Sequence, residues 1–184
     1  LQHETTGTFD RSPLLPNPLA KPWTLGMRVP NGIDLAAING LGLASKSLAG
    51  KLGLDLALAG QGDDVRGQID LTGLDLVVGT APPAKFDGHL TITDADTRLT
   101  QNVAVAGLDV LAVDARLALP GKGLRRLAKD RTRLMATPLS GEVRLVEHAL
   151  SELRTALSSV AKLPELPGKT GGVLALGGTL ATPT

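Results

Sequence analysis

Leu48-Ala49-Gly50-Lys51-Leu52-Gly53-Leu54-Asp55-Leu56-Ala57-Leu58-Ala59-Gly60-Gln61-Gly62-Asp63-Asp64-Val65-Arg66-Gly67-Gln68-Ile69-Asp70-Leu71 is the stretch on which the reading of this chain turns. Leu52, Leu54, Leu56 and Leu58 fall on every second residue, with Gly53, Asp55 and Ala57 between them. Alternation of this length predicts a strand with one apolar face. Gly60, Gly62, Asp63 and Asp64 supply turn chemistry, and Ile69 and Leu71 resume the alternation. The unit apolar-x-Gly-x-apolar-x-apolar recurs at Leu48–Leu54, Val65–Leu71, Phe86–Ile92 and Leu139–Leu145. In each copy the glycine shares the parity of the apolar residues. It therefore lies on the apolar face, as a notch or as a point where the strand bends.

Working outward, Leu25, Met27 and Val29 alternate, Pro30-Asn31-Gly32 turns, and Ile33 and Leu35 alternate again, which predicts a hairpin. The parity break at Thr72-Gly73 predicts a bulge or corner there. Phe86, Leu90 and Ile92 form a further strand. Val103, Val105, Leu108, Val110 and the run Leu111, Val113, Ala115, Leu117, Leu119 give two or three more, with a corner at Gly107. Leu150, Leu153, Leu157 and Val160 then change the period to three and four, predicting a helix at about 148–163 stopped by Pro164 and Pro167. A strand resumes from Val173. Residues 1–24, with Pro13, Pro16, Pro18 and Pro22, read as a proline-rich extended lead-in, and 25–184 as one repetitive β region. The chain is expected to be a piece of a longer repetitive protein.

Composition narrows the function classes. The net charge is +1, from 19 basic and 18 acidic residues, so no general pull toward nucleic acid follows. Aromatic residues make up 2%, namely Phe9, Phe86 and Trp23, while Leu occurs 35 times. So few rings argue against base stacking, and so much Leu suits a smooth aliphatic surface. Without cysteine there is no disulfide framework and no thiol chemistry. No apolar run reaches the ~18 residues of a membrane span.

Candidate chemical motifs are weak. Gly40–Ser47 has Ser45 where a phosphate loop needs a glycine before Lys46, and reads as an ordinary turn. Asp94-Ala95-Asp96 lacks the glycine and terminal glutamate of a calcium loop. Ser159-Val160-Ala161-Lys162 and Lys169-Thr170-Gly171 mimic penicillin-recognising motifs, but they lie a few residues apart and the middle element is missing. His3, His89 and His148 are scattered and are expected at the surface. No catalytic constellation, metal site or cofactor is expected, and the chain is not read as an enzyme. Lys122, Arg125, Arg126, Lys129, Arg131 and Arg133 form a basic segment around Leu124, Leu127 and Leu134. It reads as a solvated surface, with anionic head groups as the alternative partner.

The tail carries a resemblance. A periodic helix, then Pro164-Glu165-Leu166-Pro167-Gly168, then alternating leucines, then Gly178-Thr179-Leu180-Ala181-Thr182-Pro183 resembles the repeat of TamB-like proteins of the AsmA-like superfamily, the repeating β-groove proteins. Those repeats run Gly-Thr-Leu-x-x-Pro into apolar-x-Gly-x-apolar-x-apolar, and the four copies above match the second half. Gly60–Gly67 is a degenerate form of the whole junction. The resemblance implies a mainly β fold: an elongated β-taco or groove of alternating apolar strands, with one short amphipathic helix near the C-terminus. It implies a periplasmic, cell-envelope protein whose parent chain is anchored in the inner membrane outside this stretch. The implied function is binding of phospholipid acyl chains for transport between inner and outer membrane. The implied alternative is a strand-pairing scaffold or chaperone, with an outer-membrane β-barrel protein as partner or client.

About ten strands at roughly 4.8 Å spacing make a trough about 45–50 Å long. The lining expected from parity is Leu52, Leu54, Leu56, Leu58, Ile69, Leu71, Leu90, Ile92, Val143, Leu145, Leu174 and Leu176. The helix could plug or cap this trough, since its apolar stripe needs a partner. A closed sandwich or solenoid with a packed structural core is the third reading.

Overall fold

The computed structural model describes residues 4–7, 21–29, 31–39, 47–158, 165 and 167–184. In chain order the strands are β1 (Glu4–Gly7), β2 (Trp23–Arg28), β3 (Ile33–Asp34), β4 (Leu48–Gln61), β5 (Asp64–Val78), β6 (Ala84–Ile92), β7 (Thr97–Val105), β8 (Leu108–Leu117), β9 (Leu139–Ala149) and β10 (Lys169–Leu176). Four short helices punctuate them: α1 (Ala36–Asn39), α2 (Leu124–Lys129), α3 (Arg131–Met135) and α4 (Leu150–Leu157). The strands form a single open antiparallel sheet in the order β1-β2-β4-β5-β6-β7-β8-β9-β10, with β3 beside β2 on the edge of β4. From β4 onward every strand pairs with its neighbour in sequence. From β4 to β8 this is the meander expected of alternating segments joined by short turns, and the connections to β9 and β10 are longer and carry α2, α3 and α4.

Register gives the sheet two unlike faces, because directly opposed residues project to the same side. One ladder of partners runs Leu56, Ile69, Leu90, Leu99, Ala115, Gly141, Leu176. The next runs Leu54, Leu71, Gly88, Gln101, Val113, Val143, Leu174. The opposite face carries Asp55, Asp70, His89, Thr100, Asp114 and Glu142 in one ladder. Ion pairs cross that face, including Arg28 to Asp55 at 2.5 Å, Arg98 to Asp114 at 2.5 Å, and Arg116 to Asp96.

The repeated glycines divide into two kinds. Gly67 and Gly141 have φ of 138° and 148°, a backbone that other residues rarely adopt. A Cβ there would land on the carbonyl oxygen of Ala57 or Asp114, respectively. These two are bends where neighbouring strands approach closely. Gly88 is a true notch, with a Cβ site whose nearest atom is the Leu71 carbonyl oxygen at 3.6 Å.

Several expectations are corrected. Leu25–Leu35 is not a hairpin: β2 and β3 do not pair with each other but lie in succession along β4. The Val29 amide reaches the Leu54 carbonyl at 2.8 Å, keeping the chain on that edge, and left-handed Gly32 lets it detour and rejoin. The bulge expected at Thr72-Gly73 sits at Leu74–Asp75. There Asp75 has φ 51°, and the register shifts between Gly73 and Leu76 on one side and opposite Gly50 on the other. Within the lead-in, Glu4–Gly7 is extended and joins the sheet by pairing with β2. The helix begins at Leu150 rather than near 148, because β9 continues through Ala149. Glu152 accepts the Ala149 amide at 3.1 Å and so marks that start. The last strand begins at Lys169 and stops at Leu176, and 177–184 turns back, with the Leu180 amide on the Thr137 carbonyl at 3.1 Å. His3, Gly40–Lys46 and Ser159–Lys162 lie outside the described residues.

Charge pairing on the polar face sets a pH dependence. The Thr93 hydroxyl, with the Arg116 guanidinium, holds the Asp96 carboxyl below its ordinary 3.8, and Arg98 does the same to Asp114. Carboxyls lowered on folding contribute stability that is present above their ordinary value and lost as pH falls through the folded one. Thermal unfolding is therefore expected at a slightly lower midpoint below about pH 3.8 than at neutral pH, and Asp114→Asn removes part of that difference. The effect is small, because these pairs are solvated.

Candidate hydrophobic groove

All twelve residues expected to line a trough lie on the same face of the sheet. Leu52 opposes Gly73, Leu54 opposes Leu71, Leu56 opposes Ile69 and Leu58 opposes Gly67. Leu90 and Ile92 continue these ladders on β6, Val143 and Leu145 on β9, and Leu174 and Leu176 on β10. Leu52, Leu54, Leu56, Leu58, Ile69, Leu90, Val143 and Leu176 are half-buried, while Leu71, Leu145 and Leu174 are 42%, 55% and 64% exposed. Among the described residues no large side chain is fully buried. A closed sandwich of ten strands would bury many, so the packed-core reading fails.

Parity on single strands left out residues that pairing adds to this face. Met27 joins opposite Leu56, Phe86 opposite Gly73, and Val103 and Leu111 opposite one another. The signal was present as alternation in each segment, but only the register joins them. The Phe86 ring packs over Gly73, where a Cβ would collide with it.

The two margins of the face differ. At the turn ends of β4–β5 and β6–β7, residues 118–123 form a strap. The Gly121 amide donates to the Thr93 carbonyl at 2.7 Å, and its carbonyl accepts the Val65 amide at 2.8 Å. The Thr97 hydroxyl donates to the Leu119 carbonyl at 2.9 Å. Val65, Ile92, Thr97 and Leu119 are buried there. Ile92 thus faces the expected side but lies beneath the strap instead of in the open trough.

The basic segment follows the strap as α2 and α3. The Arg125 guanidinium donates to the Gly62 carbonyl at 2.9 Å, and the Gly123 amide to Asp64 Oδ1 at 2.7 Å. Asp63, Asp64 and Asp94 line a shared cleft with Lys122 and Arg126. The segment therefore meets carboxylates of its own chain and is not a bare cationic patch.

At the opposite margin α4 lies over the apolar face. Its Leu153, Ala156 and Leu157 look onto Val105, Val110 and Leu145 across a cavity of about 280 Å³. The helix stripe thus finds its partner in the sheet, as a cover on one margin. His148, expected at the surface, is largely withdrawn: Nε2 donates to the Asp109 carbonyl at 2.5 Å and the ring lines this cavity. On the outer side Lys169 pairs with Glu147 at 2.8 Å, holding the Glu147 carboxyl below its ordinary 4.5.

The polar face holds one grouping that chain order hides. His89 bonds Asp70 through Nδ1 and lies 2.9 Å from the Thr91 hydroxyl through Nε2. Hydroxyl, imidazole and carboxylate follow the order of an acyl-transfer triad. Thr91, however, sits mid-strand between Gln68 and Arg98, where backbone amides serve the sheet. With Asp70 on β5 and His89 and Thr91 on β6, the grouping forms a cross-strand hydrogen-bond network. The described residues contain no metal-ligating cluster and no helix long and apolar enough to cross a membrane.

No protein-family model matches this chain. No curated protein or solved structure is significantly similar to it.

Proposed function

We propose that this chain is a hydrophobic-groove protein of the cell envelope. It binds phospholipid acyl chains along its apolar face for transport between inner and outer membrane. The observation that carries this reading is a ten-stranded sheet whose aliphatic face is covered, among the described residues, only at its margins by the strap and α4. A face of that kind needs cover, since exposed apolar patches larger than a few hundred Å² mark interaction surfaces. Each methylene sheltered on it contributes about 0.8 kcal/mol. Near-uniform aliphatic lining leaves neighbouring positions similar in energy, so a chain can slide while the head group stays in water. The polar face, with its crossed ion pairs, keeps the other side solvated. Periplasmic location and inner-membrane anchoring of the parent belong to the same proposal and rest on the repeat resemblance.

A second reading has an observation of its own. β10 is the sheet edge, and its Val173 and Leu174, on opposite faces, are 62% and 64% exposed. A strand apolar on both faces suits a position inside a sheet, so this edge fits strand pairing with a β-barrel client.

Native mass spectrometry with lipid extraction tests the first reading. Phospholipid is expected to co-purify with the chain and to load from vesicles. A folded protein that takes up no lipid overturns it and leaves strand pairing at β10 as the function.

A further inference from the structure

Beneath α4 the apolar face holds a recess of about 280 Å³ lined by Val105, Val110, Leu145, Leu153, Ala156 and Leu157. The recess lies between the helix stripe and the sheet and is partly open to the surroundings. Polar contacts tie the helix at its entrance and at mid-length. His148 bonds the Asp109 carbonyl, Glu152 accepts the Ala149 amide, and Arg154 reaches Glu165 at 2.6 Å. Leu145 belongs both to the recess and to the open face, where it opposes Leu111 and is 55% exposed. The recess is therefore a pocket in the wall of the groove and continuous with it.

We infer that this recess receives the methyl end of one acyl chain, while the rest of that chain lies along the groove. This rests on the lipid reading above and deepens it. At about 30 Å³ for a group the size of one water, the volume admits roughly nine carbons, about half of a common membrane acyl chain. No charged side chain lines the recess, and His148 and Thr170 are its polar members. A head group would lose its water there without gaining partners, whereas a hydrocarbon end loses nothing. The recess is therefore a resting position, at one margin of the face, for the end of a chain that slides along the rest of it.

The test uses the whole chain in its native form and two phosphatidylcholines, one with a nitroxide near the head group and one with it near the terminal methyl. The terminal label is expected to broaden the methyl signals of Leu153 and Leu157 several-fold more than the head-group label. Broadening of open-face residues such as Leu71 with Leu153 and Leu157 untouched overturns the recess and leaves the groove reading standing. No broadening anywhere overturns both. Ala156→Trp, which fills the recess, is expected to weaken binding of long-chain phosphatidylcholine about tenfold. Unchanged long-chain affinity in that variant also overturns the recess.

Discussion

Leu71→Asp combined with Leu174→Asp is expected to abolish lipid uptake while leaving the sheet folded. Both residues lie in one ladder of the apolar face and are 42% and 64% exposed. In the empty protein the new carboxylates meet water, so the fold tolerates them. A chain laid along that ladder must strip their water without pairing them, which costs several kcal/mol per ion. Affinity is therefore expected to fall at least about a hundredfold, which corresponds to about 2.7 kcal/mol. Lipid extraction after purification and vesicle uptake measure the loss, with circular dichroism as the check on folding. If the double variant keeps full uptake, the acyl chains do not lie on this face. The same substitutions at Asp70 and Asp87 of the polar face would be silent by construction, so Asp70→Leu is the informative counterpart, and it leaves uptake unchanged.

The other large effect concerns the bends. Gly67→Val is expected to destabilise the fold by about 3 kcal/mol or more, from left-handed backbone strain together with overpacking. At φ 138° the residue cannot carry a branched side chain cheaply, and its Cβ would occupy the position of the Ala57 carbonyl oxygen. Neither obstacle can move, because both belong to a central pair of strands. Gly88→Ala is the contrast. It shares the repeat position, but its Cβ site is open, so its unfolding free energy from urea titration is expected within about 1 kcal/mol of the parent. Equal effects at the two positions would show that the glycines are interchangeable and that the bends do not shape the trough. Because Gly67 opposes Leu58 and Ile92, straightening the strand there also disturbs the margin on which the strap is seated.

Alternation determined the β class, the identity of the apolar face and the placing of all twelve named residues on that face, because a period of two is a local property of the strand. The change of period after Ala149 likewise announced α4, as the spacing of Leu150, Leu153 and Leu157 is local too. Glycine parity located the repeat positions, although not which of them bend: Gly67 and Gly88 look alike in sequence and differ only in what lies across from them. Pairing, by contrast, is non-local. The turn at Asn31-Gly32 is compatible with a hairpin, and the choice to lay β2 and β3 along β4 depends on a longer strand that presents an unfilled edge. The bulge moved to Asp75 because its position is set jointly by Gly50 on one neighbour and the β6 register on the other. The strap was hidden for the same reason, whereas a cover by α4 was expected from its unpartnered stripe. Gly121 reads as turn chemistry, and its hydrogen bonds to Val65 and Thr93 exist only once β5 and β6 are side by side. Tertiary structure alone therefore decided which margin of the face is closed, where the recess lies, and that Ile92 sits under cover while Leu174 does not.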